Sequence, residues 1–592
     1  MLPAKPAIVA ANAGNDNSPP GRPKASGPPW GAATRAAAER GGNNSPPGRP
    51  TASGPPWGAA TRAAAERGGY TRSVSLLKSA SIVSLLTLAS RITGLVRDLL
   101  MAYTFGVSAM TDAFWVAFRI PNMLRRMFAE GAFSQAFVPV LAASKEKEGV
   151  EATHALIHAV ATLLTMVLLV TCVAGVVGAP VLVYMLASGL NPEGFEAATL
   201  MTRWMFPYIA CMSLVALGAG VLNTWKQFAV PAATPVLLNV AMISAAWLGA
   251  PWLQRHGIEP IYAMAGGVML GGVLQLGSIV LALRHIGLAP RVRVSLGAFR
   301  AAWAQPATRQ IVHLMGPALL GVSVAQISLL INTQIASYLA TGSVTWLNSA
   351  SLLMEFPTAL LGVALGVVLM PQLAAAKAAQ DTARFSEMID WGLRLVVLLA
   401  VPSAVALVTF AQPLVATIFH NGRFSDADVV QTSVALMGYG AGLLGLVAIK
   451  VLTPGYFASQ NIRTPALIGV AVLFFTQALN WVLVPALAHA GLALSIGVGA
   501  MVNALWLLVG LVRGGTYVPL PGWGRFALQV LAASALLAVF LMWASGSIPW
   551  LALHAEKFKR IGLLALVIAG AVAIYFVAIW AAGLKLRQFL RR

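Results

Sequence analysis

From residue 74 onward this chain is a close succession of apolar segments, each about long enough to cross a bilayer. A span needs about 20 mostly apolar residues. Fourteen segments fit, at roughly 76–102, 110–141, 154–186, 197–222, 231–252, 260–284, 309–340, 345–376, 387–409, 429–457, 465–487, 490–513, 526–547 and 561–583. Hydrocarbon offers no hydrogen bonds, so segments of this length must satisfy their own backbone, which they do as helices. The reading is an all-α integral membrane protein of about fourteen transmembrane helices. With 58% hydrophobic and 10% charged residues, the composition excludes a soluble domain of this size. The net charge of +21 does not indicate nucleic acid, because the basic residues lie in short loops between apolar segments.

The loops also give an orientation. With the N-terminus cytoplasmic, the inside loops and C-terminal tail hold seventeen Lys and Arg, and the outside loops hold five. That asymmetry places both termini in the cytoplasm. The longest basic loop, 285–308, carries Arg291, Arg293 and Arg300 and is a candidate for an interfacial helix. Pro121, Pro207, Pro235, Pro357, Pro371, Pro402 and Pro454 fall inside spans, read either as ordinary kinks or as hinges for alternating access.

Residues 1–73 are different in kind. Residues 16–42 and 43–69 are a tandem copy that differs at Asp16/Asn43 and Lys24/Thr51. The segment is rich in Pro, Gly and Ala, is basic, and has too few aliphatic residues to offset its ordering entropy. It reads as a disordered tail, with a basic arm on anionic head groups as the sharper alternative.

Charge is concentrated inside the first two spans. The first carries Arg91, Arg97 and Asp98; the second carries Asp112, Arg119, Arg125, Arg126 and Glu130. An arginine at bilayer depth costs about 2.5–3.5 kcal/mol on insertion scales, so several must be sheltered in a polar cavity or near the interfaces. Asp112, Arg119, Asn122, Arg126 and Glu130 follow each other at helical spacing and share a face, with Arg125 at its edge. Ion pairs among these groups, such as Arg97 with Asp98 or Arg126 with Glu130, absorb part of the charge. The surplus of guanidinium suits an anion, and its fork matches phosphate oxygens.

Other chemistry is not indicated. Cys172 and Cys211 sit in apolar runs with no metal or disulfide spacing. His154 and His158 are four apart but lack a carboxylate partner, so no metal site is expected. No G-x-x-x-x-G-K-[ST] loop is present, so transport would not be driven by ATP hydrolysis on this chain. No catalytic motif and no cofactor are expected.

SRITGLVRD at 90–98 and TDAFWVAFRIPNMLRRMFAEGAFSQAFVP at 111–139 resemble the MurJ (MviN) lipid II flippases of the MOP exporter superfamily. So do LNTWKQFAVPAATPVLLN at 222–239, GPALLGVSVAQISLLINT at 316–333, LMEFPTALLGVALGVVLMPQL at 353–373 and KVLTPGYFASQNIRTP at 450–465. The resemblance covers residues 74–592. It implies two six-helix lobes around a central cavity, residues 74–284 and 309–513, joined by the basic loop 285–308. Spans 13 and 14, within 514–592, would form a groove for a lipid tail. Arg91, Arg97 and Arg125 match the family's functional arginines and would contact a diphosphate; Asp112 and Glu355 match acidic positions tied to function. The substrate implied is undecaprenyl-diphosphate-linked MurNAc-pentapeptide-GlcNAc, lipid II, moved across the bacterial inner membrane. Membrane lipids and cell-division or elongation proteins are the partners such a reading brings, with no nucleic acid.

One stretch departs from the family pattern. Where the family usually reads Tyr-Ala-Asp-Arg before LMEFP, this chain has Ser349, Ala350, Ser351 and Leu352. A cavity arginine and its neighbouring acid are thus replaced. Two further readings stay open on the sequence: another MOP-type exporter, and a degenerate flippase that acts only as a membrane scaffold.

Overall fold

The computed structural model describes residues 57–126 and 133–584. Every long element is helical, and no strand occurs among the described residues. The chain runs α1 (Trp57–Phe105), α2 (Ala109–Leu124), α3 (Phe133–Lys147), α4 (Gly149–Val177), α5 (Ala179–Ala187), α6 (Pro192–Met205) and α7 (Tyr208–Thr224). Next come α8 (Ala229–Ser244), α9 (Ala250–Arg255), α10 (Tyr262–His285), α11 (Leu296–Ala304), α12 (Pro306–Ser337), α13 (Ser343–Ala378) and α14 (Thr382–Thr409). The last are α15 (Ala411–Phe419), α16 (Asp426–Ala441), α17 (Leu443–Ala458), α18 (Arg463–Arg513), α19 (Trp523–Ser547) and α20 (Lys557–Ala581).

Helix α1 begins inside the second repeat copy, upstream of the expected start near 74. The run AATRAAAER is dense in strong helix formers and follows the last proline of the repeat, Pro56, so the helix can start there. The rest of the expected tail, residues 1–56, lies outside the described residues. Residues 1–71 separate from residues 72–592, and the latter form one unit.

Among the described residues, eight helical segments are individually long and apolar enough to cross a bilayer, or nine counting α16 with α17, bent by 40°. The 51-residue α18 holds two of the expected spans. Its backbone leaves the helical region at Ala488 (φ 48°, ψ −130°), and Thr476 abuts Gly499 across that point, so the helix reverses into an antiparallel pair. The bend between α16 and α17 falls at Gly442, whose backbone lies against Gly497 with no room for a side chain. The loop 285–308 carries the short amphipathic helix α11, as its composition suggested, N-capped by Ser295 through its hydroxyl to the Ala298 amide at 3.2 Å.

Two hydrophobic cores organise these helices. One is built from α2 to α10, with Phe114, Phe137, Met201, Tyr208 and Met242 among its buried members. The other runs from α13 to α20 and includes Ile389, Phe410, Val447, Leu507 and Tyr575. Helix α12 belongs to neither alone. Its Ile311 and Ala336 enter the first core, while its Asn332 side chain accepts a hydrogen bond from Asn480 of α18 at 3.1 Å.

Candidate functional site

Between the two cores, α1, α2, α12 and α13 enclose a cavity of about 210 Å³. Its charged lining is Arg97 and Asp98 from α1, Arg119 from α2, Arg126 just beyond it, and Glu355 from α13. Asn122, Gln326, Asn348 and Ser351 add polar groups, and Trp115, Phe118 and Leu352 add apolar ones. Among the described residues three arginines face two carboxylates, a formal excess of one positive charge.

Two of the three guanidinium groups, those of Arg97 and Arg119, are held by protein partners. Arg97 donates from Nε and Nη2 to Asp98 Oδ1, both at 2.8 Å, and from Nη1 to Asn239 Oδ1 on α8 at 3.0 Å. Asn239 is fixed in turn, donating to the Ser90 carbonyl at 3.0 Å and to Thr93 Oγ1 at 3.1 Å. Of the five guanidinium N–H donors of Arg97, these bonds use three among the described residues. Arg119 donates to Thr333 Oγ1, tying α2 to α12 across the cavity wall. Gln326 presents a buried side-chain carbonyl oxygen with no protein partner among the described residues.

The sequence-derived face of the second span is therefore divided. Arg119, Asn122 and Arg126 reach the cavity, but Asp112 does not. It lies two turns earlier, buried, at the end of the bundle where α12 ends and α13 begins. Its Oδ2 accepts the Gly342 amide at 2.6 Å; its Oδ1 accepts the Thr345 amide at 2.8 Å and the Thr345 hydroxyl at 2.6 Å. An N-terminal helix turn has unpaired amides and a positive dipole end, and a carboxylate satisfies both. Gly342, at φ 100°, gives α13 the left-handed entry that brings its amide to Asp112. Arg125 bonds Asn122 Oδ1 from Nε at 3.2 Å and from Nη2 at 2.9 Å, so it orients a cavity residue rather than lining the cavity. Arg91 is exposed on α1, six residues before Arg97, and is outside the lining. Glu130 lies outside the described residues, so its pairing with Arg126 is not described.

Further contacts close the Asp112 end. Trp346 Nε1 donates to Asp428 Oδ1 at 2.9 Å, and its ring packs against His489 at 5.0 Å. The Gly189 amide donates to Ser337 Oγ at 3.1 Å, and the Ser188 hydroxyl meets the Tyr338 hydroxyl at 2.8 Å. The Arg423 amide donates to the Tyr103 carbonyl at 3.1 Å, joining the last turn of α1 to the loop before α16. Below that loop the fully buried Arg560 donates to the His420 carbonyl at 2.9 Å. Burial pushes the His420 imidazole below its ordinary pKa; Arg560 and His554 add to this, while Asp426, 3.0 Å from Nε2, opposes it.

Leu352 sits where the family pattern has arginine. It lines the cavity and also packs against the second core, and Ser351 bonds back to the Asn348 carbonyl at 2.9 Å. Gln326 and Asn348 were not singled out from the sequence. A lone amide in the apolar run GVSVAQISLL was the available signal for Gln326.

An all-helical membrane bundle with a charged cavity between two cores defines a multi-span transporter class. Solved structures agree on the fold. A "Lipid II flippase MurJ, inward closed conformation" matches with a TM-score of 0.68 at 22% identity, over 84% of this chain and 97% of that one. An inward-facing MATE multidrug transporter of the MOP superfamily matches with a TM-score of 0.59 at 14% identity, over 74% of this chain and 98% of that one. The family model "Lipid II flippase MurJ" matches residues 101–557. The Burkholderia cenocepacia lipid II flippase MurJ is 48% identical over 522 residues, 88% of this chain and 100% of the relative. A probable lipid II flippase MurJ of Vibrio cholerae is 38% identical over 517 residues, covering 85% of this chain and 96% of that protein. The chain belongs to the MurJ lipid II flippase family.

Proposed function

We propose that this protein moves lipid II from the cytoplasmic to the periplasmic leaflet by alternating access. The observation that carries the reading is the convergence of Arg97, Arg119 and Arg126 with Glu355 on one cavity between the two cores. The diphosphate takes the free guanidinium donors, since a bidentate fork suits phosphate oxygens. Gln326 and Asn348 offer neutral polar contacts to the sugar head group. Arg91, six residues toward the opposite mouth, receives the anion on entry, and Arg125 acts through Asn122. The Asp112 contacts form the periplasmic closure, which must open for release. The chemistry is transport, with no bond made or broken in the lipid.

Leu352 favours a second reading, a membrane scaffold that keeps the fold and has lost transport. Rescue of a strain depleted of its own lipid II flippase separates the two. Rescue is expected; normal insertion without rescue would support the scaffold. Ser351→Asp with Leu352→Arg adds a guanidinium with its counter-charge beside it. One such contact to phosphate is worth about 1.5–3 kcal/mol, so the double variant is expected to raise transport where binding limits it. An unchanged rate in a fully active parent would show that the cavity already compensates.

The orientation has its own test. The loop 285–308 should be cytoplasmic, so a cysteine at Ser295 should resist a membrane-impermeant thiol reagent on intact cells. Ready labelling would overturn the topology.

A further inference from the structure

A second cavity, of about 690 Å³, lies within the first helical core, away from the arginine cavity. It opens at the end of the bundle opposite Asp112, between the start of α4, the middle of α7, the end of α10 and the irregular strap 287–292. Its inner wall is aliphatic, with Leu214 and Leu217 from α7 and Leu276 and Ile279 from α10. Its rim is basic, with His154, His158, Arg284 and Arg291. Among the described residues no carboxylate lines it.

The rim is ordered by the protein itself. His158 Nδ1 accepts the Arg291 amide at 3.1 Å, which anchors the strap to α4. The neutral imidazole then carries its proton on Nε2, which remains a donor. The segment that follows marks depth. Val294 and Leu296 are exposed, Trp303 of α11 is partly exposed, and Arg293 and Arg300 alternate with them. Exposed apolar side chains beside basic ones, on the segment leading into α11 and on α11 itself, place this stretch in the membrane interface. The basic rim is therefore at head-group level, and the aliphatic wall runs toward the acyl region.

From this juxtaposition we propose that the cavity is a binding site for one anionic glycerophospholipid. The phosphate sits between Arg284, Arg291 and His158, and an acyl chain lies along Leu214, Leu276 and Val280. A zwitterionic lipid brings its own cation to a rim that has no acid to receive it. A soluble phosphate would leave the aliphatic wall wet. The site is independent of the arginine cavity, so its failure would leave the transport reading untouched.

The test uses the full-length protein in detergent, titrated with dioleoyl phosphatidylglycerol, dioleoyl phosphatidylcholine or glycerol 3-phosphate. Binding is read by native mass spectrometry and by the rise in Tm. Phosphatidylglycerol is expected to bind and stabilise, and the other two to do so far less. Arg284→Gln with Arg291→Gln should weaken phosphatidylglycerol binding roughly tenfold or more. Arg284→Lys with Arg291→Lys should recover part of it. Arg293→Gln with Arg300→Gln, on the same loop but outside the lining, should leave binding within about twofold. Equal binding of phosphatidylcholine, equal binding of glycerol 3-phosphate, or equal losses in the two glutamine pairs would each overturn the proposal.

Discussion

Asp112→Ala is expected to abolish transport while the protein still reaches the membrane. The carboxylate is the acceptor for two buried amides and a hydroxyl at the start of α13. Leaving a buried donor unsatisfied costs about 1–3 kcal/mol. Loss of the acceptor for two amides, about 2–6 kcal/mol together, shifts an open–closed equilibrium by about 30-fold to about 20,000-fold, since about 1.4 kcal/mol is a factor of ten. The closure at that end would be lost and the cavity would face both sides or the wrong one. Asp112→Asn keeps one carbonyl acceptor and should recover part of the function. A cysteine at Ser351, inside the cavity, supplies the readout. It should be protected from an impermeant thiol reagent in the parent and labelled in the Asp112→Ala background. Protection in both, with normal transport, would show that Asp112 only stabilises the fold.

The second large effect concerns the guanidinium groups. Arg97→Ala and Arg119→Ala should each weaken lipid II binding by about tenfold to a hundredfold, from the loss of about 1.5–3 kcal/mol per charged hydrogen bond. Arg97 is expected to be the more sensitive, because Asp98 and Asn239 hold it in place and its removal leaves Asp98 unpaired in the membrane. Lysine at either position should recover only part, since a point charge cannot replace the fork. Arg125→Ala should act through Asn122, whose side chain it orients. Binding of lipid II by native mass spectrometry ranks these variants. An Arg97→Ala protein with undiminished affinity would remove the diphosphate from this cavity.

Much of this architecture was legible in the sequence because the bilayer leaves few choices. Segment length and apolarity locate the spans, and loop Lys and Arg point to an orientation. Helical spacing correctly grouped Arg119, Asn122 and Arg126. It could not separate Asp112 from them, because a shared face says nothing about depth. Asp112 sits two turns away, where the partner is the backbone of a distant helix, and a backbone amide leaves no mark in sequence. Arg91 and Asp98 share a face at a spacing of seven, yet Asp98 reaches the cavity and Arg91 does not. Here the neighbour on α8, Asn239, decides by drawing in Arg97. The reversal at Ala488 was visible only as a gap between two spans, and the lipid-binding rim only as scattered His and Arg.

The most direct test of the central claim is flipping of fluorescent lipid II in proteoliposomes holding the full-length protein. Leaflet exposure would be read by an impermeant quencher, and Arg97→Ala, Arg119→Ala and Arg126→Ala compared at equal incorporation. The account predicts transport by the parent and a sharp loss in the variants. Full transport by all three variants would contradict it.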